Sequence, residues 1–456
     1  MSIRQLTKKS ILAINKADRK KIFWLCFAIL VFGLVLTFFE RTLSTHDLSF
    51  YKAKGSYFHI ASNLTDQGSY SLYGVSPTAY RPPLYPLYLY LTMLVFGESW
   101  QIAGVLGQFI LGILIGLLTL LIAKRSSERN LTLLTTILLL IANRFFMYEV
   151  LRLRDTILFV FFALLFLYFF QRHSLSDLRL LLLALFGSLA YLTRPPGIVF
   201  FALIFIILLK DFVQTKRWVY LRKILFFALM ALLITSPWYY YLYKNFDNPL
   251  LFPSSTAGIN LHKGNNKNLF SYYPWVDVDR YSPLIKEFVI QQGIPIQHWP
   301  PEGQFENAVD SLLRKQATKY ILSHPIEFIL RSFVKLAALY SPLPTPLGNG
   351  KLIKVNDKVK IDEFRFRIRP TKLIGTFCCA IYILGAVLLL TRNTRYVFKN
   401  NLVHLVLFLV LTTVLYMITF SETRFRLTID PVLIILGSIY WSNLLNNYSA
   451  RRDLTR

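Results

Sequence analysis

Charged residues are scarce in this chain. Of its 456 residues, 16% are charged and 54% are hydrophobic. Soluble domains carry about 25% charged residues, so this composition cannot build an ordinary water-facing surface. Acidic residues are the rarer kind, with 24 Asp and Glu against 51 Lys and Arg. In a soluble protein that excess would indicate nucleic acid. In a membrane protein basic loops set topology and contact anionic lipids, so we expect membrane lipids and no nucleic acid as partners.

Cysteine and the common catalytic motifs are also scarce or missing. The three cysteines, Cys26, Cys378 and Cys379, lie inside apolar runs, which argues against a disulfide framework or a metal site. The sequence has no P-loop, dinucleotide fingerprint, HExxH, CxxC or GxSxG motif. We therefore expect no cofactor. A site for a divalent metal would require the carboxylates of Asp47, Glu149 and Asp155 to lie close together.

Long apolar runs dominate what remains. Runs near twenty residues predict spanning helices, because lipid offers backbone polar groups no hydrogen-bond partner. Two further apolar stretches, 84–98 and 326–342, are interrupted by Pro, Glu or Arg and predict helices on the membrane surface. The predicted spans lie at about 22–39, 101–123, 131–147, 156–171, 178–193, 196–210, 222–240, 373–391, 402–420 and 427–445. This pattern predicts an all-α polytopic membrane protein with ten to twelve transmembrane helices and two large extracytoplasmic loops.

The distribution of Lys and Arg predicts the orientation. With the basic N-terminal tail inside, the basic loops 124–130, 171–179, 210–223 and 391–400 also fall inside. The stretch 351–372 is the exception, since it is basic yet falls outside. If 326–342 crosses the membrane, every later segment moves to the opposite side. We expect the start of the chain to be a tail before a retained helix. The predicted units are a cytoplasmic tail 1–21, a transmembrane module 22–240 with outer loop 40–100, an outer loop region 241–372, transmembrane helices 373–445 and a cytoplasmic tail 446–456.

Ionisable residues cluster where predicted helices end on the outer side. Glu149, Arg152 and Asp155 stand between the third and fourth helices. A capping Asp with arginines that reach lipid headgroups would explain them structurally. Alternatively, ionisable groups at spanning-helix ends mark an acid–base or anion site.

Further charged residues fall on the same predicted face. His46 and Asp47 lie in the first outer loop, Arg194 follows the fifth helix, and SETRFRLTIDP (421–431) separates the last two helices. A single arginine is more often a lipid anchor, but groups from separate loops fit a site for a membrane-borne phosphate. The arginines would hold a departing phosphate, and a carboxylate would take the proton of the acceptor.

The order of these pieces resembles the GT-C class of membrane glycosyltransferases, specifically bacterial relatives of protein O-mannosyltransferases and of the lipid A aminoarabinose transferase. The resemblance extends over nearly the whole chain. The matching segments are YFHIASNLTDQGSYS (57–71), RPPLYPLYLYLTMLVFG (81–97), RDTILFV (154–160), LTRPPG (192–197), SPWYYYLYKNFDNPLLFPSSTAGINLHKGNN (236–266), HPIEFILRSFVKL (324–336) and ETRFRLTIDP (422–431).

The resemblance implies a polyprenyl-phosphate-linked sugar as donor and transfer, with inversion, on the extracytoplasmic face of a bacterial inner membrane. Asp155 matches an acidic position of the family, and Arg194 matches a cation that meets the carrier phosphate. The last motif, ETRFRLTIDP, matches a family segment that lies at the outer surface of the membrane. Its residues Glu422, Arg424 and Arg426 are predicted to act there, with both arginines at the donor phosphate. Glu149, Arg152 and Tyr57 are predicted to support the site.

One departure from the family concerns its catalytic base. Relatives carry an acidic residue about four positions before the Tyr of a Tyr-x-x-x-Ala signature, here Tyr57 and Ala61, but Ala53 stands there. The nearest upstream carboxylate is Asp47. In one interpretation Asp47 reaches the site and acts as the base, while Asp155 orients the acceptor or shares the role of base. In the other, the base is missing. A missing base would make the protein a non-catalytic relative that binds lipid phosphate. The alternative from another functional class is a lipid-carrier transporter or flippase.

Overall fold

The computed structural model describes residues 13–14, 17–44, 55–171, 175–246, 253–356, 358–366, 373–400 and 402–451. Most of these residues are helical. The described helices before residue 246 are α1 Arg19–Ser44, α2 Ser56–Gln67, α3 Leu84–Phe96, α4 Trp100–Ser126, α5 Asn130–Ala142, α6 Arg144–Glu149, α7 Asp155–Phe170, α8 Asp177–Thr193, α9 Ile198–Thr215 and α10 Val219–Asn245.

The second part of the chain adds short outer helices, a hairpin and further apolar helices. The described elements are α11 Ala257–Gly264, α12 Leu269–Tyr272, α13 Ser282–Gln291, α14 Phe305–Ser323, α15 Pro325–Tyr340, β1 Gly348–Val355, β2 Lys358–Phe366, α16 Leu373–Arg392, α17 Thr394–Lys399, α18 Val403–Ile418, α19 Thr423–Arg426 and α20 Asp430–Arg451.

Several helices have the length and composition to cross a membrane. Among the described residues, five apolar helical stretches are long enough: Arg19–Thr42, Leu84–Ser126, Pro195–Thr215, Val219–Asn245 and Gly375–Arg392. Three more helices, α5, α7 and α18, are apolar but shorter. Large hydrophobic side chains such as Phe32 on α1 and Leu225 on α10 are exposed. An apolar surface of this extent needs lipid as its solvent. The chain is therefore an integral membrane protein, and the number of crossings remains a prediction.

All ten predicted spans overlap helices, with one internal break. The predicted span 131–147 is divided into α5 and α6 at Asn143. The side-chain oxygen of Asn143 accepts a hydrogen bond from the Phe146 amide at 3.2 Å and so caps α6. The predicted surface stretch 84–98 is a helix of its own, because Gly97 adopts a φ of +50° between α3 and α4.

The last helix, α20, is the centre of the packed core. Its side chains from Val432 to Leu436 are buried, and it packs against α4, α5 and α16. At the crossing with α16, a Cβ on Gly437 would lie 2.5 Å from the Tyr382 carbonyl oxygen. Only glycine allows two helix backbones to approach this closely. The end of the chain thus fixes helices from both parts of the sequence.

The β1–β2 hairpin corrects the all-α prediction. Gly348 pairs with Phe366, and Val355 pairs with Lys358, in an antiparallel register with one irregularity between Asn349 and Lys351. The hairpin lies in the basic stretch that fitted the orientation poorly. Alternating apolar and charged residues favour a strand with one solvated face. At the turn between the strands, Asn356 adopts a positive φ of +49°. Length and hydropathy cannot reveal such a short polar strand.

Two carboxylates, Glu302 and the buried Glu306, bind the first predicted outer loop to the second predicted outer region. Glu306 accepts hydrogen bonds from the Thr78 hydroxyl at 2.5 Å, the Ala79 amide at 3.0 Å and the Ser255 hydroxyl. Glu302 accepts one from the Leu72 amide at 2.5 Å. The bonds from Leu72, Thr78 and Ala79 join residues that are more than 200 positions apart in the sequence. The two outer segments therefore form one layer above the helices.

Helix α15, predicted to lie along the membrane surface, has two different faces. Ile326, Ile329 and Phe333 are exposed on one side. On the other side Lys335 is buried and donates hydrogen bonds to the carbonyl oxygen of Met417 at 3.0 Å and to the Asn265 side chain at 3.1 Å. Apolar residues at this helical spacing suit a helix that rests on lipid.

Candidate active site

Asp155 is the first residue of α7, and its side chain joins two other segments. Its Oδ2 accepts a hydrogen bond from the Tyr57 hydroxyl at 2.8 Å and lies 3.0 Å from Nε of Arg194. The side chain lies at the positive end of the α7 dipole. Burial and the nearby Asp155 raise the pKa of Tyr57 above its ordinary value, so the phenol stays protonated and donates.

Arg194 is held at the end of α8 by its local sequence. Pro195 and Pro196 follow it, and the residue before a proline is driven to extended backbone. Accordingly Arg194 has φ −149° and ψ 136°, and α8 ends at Thr193. Burial by itself lowers the pKa of Arg194, but Asp155 more than offsets this, so the net pKa is raised and the guanidinium stays charged. Its Nη1 is buried without a hydrogen-bond partner among the described residues.

A second arginine, Arg81, lies beside the same cluster. Its Nε donates to the Ser56 hydroxyl at 2.8 Å, and its guanidinium lies 4.8 Å from the Tyr57 ring centroid. Burial opposes the charge of Arg81, but Tyr57 and Tyr80, then Asp155, raise its pKa above the ordinary value. The sequence interpretation missed this residue. Its signal is the triplet Arg-Pro-Pro, which occurs at 81–83 and again at 194–196.

Arg424 forms the centre of the adjacent charged group. Its Nε lies 3.1 Å from Oε2 of Glu422, and one terminal nitrogen donates to Oδ2 of Asp279 at 3.2 Å. Lys263 donates to the other oxygen of Asp279 at 2.7 Å. Burial acts to raise the pKa of Asp279, but Lys263 and Arg424 outweigh it and hold the pKa well below its usual range. Lys263 and Asp279, from the outer region, were not predicted as site residues.

Glu422 is buried and only partly compensated. Burial raises its pKa to about 8, although Arg424 acts in the opposite direction. A Cβ on Gly264 would lie 1.7 Å from the Thr419 carbonyl oxygen, so α11 approaches the chain just before Glu422 very closely. This contact fixes the outer helix that carries Lys263 against the segment that carries Arg424.

Phe425 connects the two charged groups. The guanidinium of Arg194 lies 5.3 Å from the Phe425 ring centroid, and that of Arg424 lies 5.0 Å from the same centroid. Arg81 interacts electrostatically with both Asp155 and Asp279. Three guanidiniums and at least two carboxylates therefore gather at the helix ends. We call this the arginine site, defined by Arg81, Asp155, Arg194, Asp279 and Arg424.

The remaining predicted residues lie elsewhere. Arg426 is buried, with Nε 3.0 Å from Oδ1 of Asp430 and a terminal nitrogen donating to the Ser341 carbonyl. Asp430 also accepts from Asn143 and from Tyr382, each at 2.9 Å. This network joins the last helix to its neighbours. In the structure Arg426 is thus paired with Asp430 inside the protein, and its contact with donor phosphate stays a prediction.

The group around Glu149 is separate from Asp155. The Glu149 carboxylate is buried, 3.5 Å from a terminal nitrogen of Arg154 and 3.6 Å from one of Arg152. Within the described part of the chain, no group of three or more His, Cys, Asp or Glu residues that could hold a metal occurs. Asp47 and His46 lie outside the described residues.

Comparison with known proteins addresses the family and the fold of the chain. A family model described as dolichyl-phosphate-mannose-protein mannosyltransferase matches residues 80–241, which include Arg81, Asp155 and Arg194. No curated protein matches the sequence. The chain shares 13% identity and a TM-score of 0.51 with the Archaeoglobus fulgidus oligosaccharyltransferase tethered to an acceptor peptide, covering 97% of this chain and 51% of that one. The resemblance to GT-C membrane glycosyltransferases is confirmed.

Two other structures belong to the same comparison. Oligosaccharyltransferase AglB of the same archaeon, in complex with an inhibitory peptide and a dolichol-phosphate, gives 14% identity and a TM-score of 0.52, over 96% of this chain and 51% of that one. ArnT from Cupriavidus metallidurans, bound to undecaprenyl phosphate, gives 14% identity and a TM-score of 0.39, over 92% and 77%. The chain thus spans about half the length of the oligosaccharyltransferases that establish its fold.

Proposed function

We propose that this protein transfers a sugar from a polyprenyl-phosphate-linked donor to an extracytoplasmic acceptor, which is a glycolipid, a polysaccharide or a protein. The observation that carries the proposal is the pairing of Arg194 with Asp155, with Arg81 beside this pair and Arg424 on the shared Phe425 ring, at the ends of apolar helices. The family match over residues 80–241 supports the same reaction class. A relative with the same fold contains dolichol-phosphate.

The arginines suit the leaving phosphate. Guanidinium groups bind phosphate oxygens through charge-assisted hydrogen bonds, which are stronger where water is excluded. Arg194 offers a terminal nitrogen that no described side chain uses. As the bond from the anomeric carbon to phosphate breaks, its electron pair remains on the phosphate oxygen, and the developing charge meets cations that are already in place.

A carboxylate completes the reaction. The acceptor oxygen attacks the anomeric carbon, a new carbon–oxygen bond forms, and the acceptor proton passes to the base. We assign the base to Asp47. We assign Asp155 the task of holding Arg194 and Tyr57, because both groups already use its Oδ2. A single displacement inverts the anomeric configuration, so we propose an inverting transferase.

The proposal also assigns a location. Basic loops on the predicted inner side orient the arginine site outward, and we propose the extracytoplasmic face of a bacterial inner membrane. The donor would then enter laterally from the lipid, and the acceptor would come from the outer region. The proposed reaction uses no metal, and Asp155 has its partners among side chains.

The test is release of free polyprenyl phosphate by the purified protein from a panel of polyprenyl-phosphate sugars, with a membrane extract as source of acceptor. We expect Asp47→Asn to reduce release at least about a hundredfold, as for loss of a general base. Asp155→Asn should reduce it as well. If wild type binds these lipids but releases nothing while an active relative does, the protein is a binding relative and the proposal fails.

A further inference from the structure

A cavity lies in the outer region. It has a volume of about 900 Å³ and opens between α11, α13, α14, α15 and the hairpin. None of the residues that define the arginine site lines it. We call this cavity the outer cleft, defined by His262, Asn268, Phe270, Phe288, Tyr320 and Arg331.

One wall of the outer cleft is a stack of rings. The His262 ring lies 6.1 Å from the Phe288 ring at an interplanar angle of 9° and 6.5 Å from the Tyr281 ring at 27°. Burial lowers the pKa of His262 to about 4, so the imidazole is neutral at pH 7. Its Nδ1 is buried and has no hydrogen-bond partner in the part of the chain that the structure describes. The wall therefore presents ring faces and one unsatisfied polar atom.

A second part of the lining is built around Arg331. Its guanidinium lies between two rings, 4.9 Å from the centroid of Phe270 and 4.7 Å from that of Tyr320. A terminal nitrogen of Arg331 donates to Glu327 at 2.9 Å. Tyr320 in turn stacks on His324 at 4.5 Å. These contacts fix the rings before any ligand arrives, while Phe270 keeps 44% of its surface exposed.

Amide side chains also belong to the lining. Asn268, Gln291 and Gln316 all line the outer cleft, and the Asn268 amide donates to the Tyr281 hydroxyl at 3.0 Å. An amide offers both donors and acceptors, which matches the hydroxyl groups of a sugar. Aromatic faces match the apolar C–H face of a sugar ring. Charged residues of both signs also line the cleft, including Lys319 and Glu287.

We propose that the outer cleft binds a saccharide, either as a soluble glycan or as the headgroup of a glycolipid. That this saccharide is the acceptor rests on the function proposed above; the binding itself does not. Two elements connect the cleft to the arginine site. On α11, His262 faces the cleft while Lys263 bonds to Asp279. Two residues after Asp279, Tyr281 lines the cleft.

The side of α15 that does not line the outer cleft is apolar. Ile326, Ile329 and Phe333 are exposed on that face, whereas Glu327 and Arg331 line the outer cleft. A sugar carried by a lipid could therefore enter from the membrane surface, and a soluble glycan could enter from water.

The experiment measures saccharide binding to the full-length protein in nanodiscs without donor. Saturation-transfer NMR would screen soluble neutral oligosaccharides, and a second arm would incorporate glycolipids with the same headgroups. The variant is Phe270→Ala, with Gln291→Ala as a second cleft variant. Trp275→Ala is the matched control, because Trp275 is 43% exposed in the same outer region and does not line the cleft.

We expect at least one saccharide to bind wild type, and the arm in which it binds identifies the soluble or the lipid-borne form. Binding should weaken about tenfold in Phe270→Ala and stay unchanged in Trp275→Ala. Absence of binding in both arms, or equal binding by wild type and both cleft variants, would overturn the inference. The release assay for polyprenyl phosphate separates this inference from the proposed function. Saccharide binding without release of polyprenyl phosphate would support the cleft and refute the transferase. Release of polyprenyl phosphate without saccharide binding would support the transferase and refute the cleft.

Discussion

Nε of Arg194 lies 3.0 Å from Oδ2 of Asp155, which joins the end of α8 to the first residue of α7. The pair uses one edge of the guanidinium. Its Nη1 remains without a hydrogen-bond partner within the described residues. An ion pair that leaves a buried donor unused is positioned to receive a further anion, and a phosphate oxygen is the anion that the neighbouring arginines favour.

Arg194→Ala should weaken binding of polyprenyl phosphate. Loss of a charge-assisted contact, together with an uncompensated Asp155, should reduce affinity by about tenfold to a hundredfold. Equilibrium binding in nanodiscs measures this. The control is Arg222→Ala, because Arg222 forms an exposed pair with Asp177 at 3.6 Å, and affinity should not change. Equal affinity of wild type and Arg194→Ala would exclude Arg194 from the phosphate site.

Tyr57→Phe should lower turnover with little effect on folding. The substitution keeps the ring that packs edge-on against Tyr85 at 5.2 Å but removes the hydrogen bond to Asp155. A hydrogen bond to a charged group contributes about 1.5–3 kcal/mol, so we expect kcat to fall about tenfold. The donor KM should change less than kcat. A drop in thermal stability with unchanged kcat would show that the hydroxyl has only a structural role.

Glu422 should make donor binding dependent on pH. Its pKa of about 8 leaves it neutral at pH 7, so Arg424 faces less competing negative charge. As pH rises through about 8, Glu422 ionises and competes with phosphate for Arg424. The donor KM should therefore rise above pH 8 in wild type and remain flat in Glu422→Gln. A matching rise in Glu422→Gln would assign the effect to another group.

Glu306 should make stability fall as pH rises. Burial raises its pKa from an ordinary 4.5 to about 8, despite hydrogen bonds from Ser255 and Thr78 that act in the opposite direction. Between these two values the folded state holds a proton that the unfolded state has lost, so unfolding free energy decreases with pH. Thermal unfolding of Glu306→Gln in detergent should show a smaller decrease across this window. Glu363→Gln, on the exposed hairpin, should behave as wild type.

The apolar helices and part of the site were predictable from the sequence for a clear reason. Lipid requires long apolar runs, and each run predicts a helix without knowledge of its neighbours. Asp155 and Arg194 could be found because Asp155 begins one apolar run and Arg194 directly follows another. Tyr57 was found through the family motif that surrounds it.

Contacts between distant segments could not be predicted. Arg424 and Asp279 are 145 residues apart in sequence, and no local pattern relates them. Arg426 was assigned with Arg424 because the two are neighbours in sequence. Residues two apart on a helical turn do not share a face, and so Arg426 bonds to Asp430 instead. The hairpin was missed because its polar strands carry no signal in hydropathy.

The most direct test of the account follows a donor labelled both in its sugar and in its polyprenyl phosphate. The full-length protein would be placed in sealed vesicles with the acceptor extract on the side of the arginine site. The account predicts that labelled sugar appears in the acceptor in equal amount to free polyprenyl phosphate, and that Arg194→Ala abolishes both while Arg222→Ala keeps both. Movement of the intact donor across the membrane, with both labels still joined, would contradict it and establish a transporter.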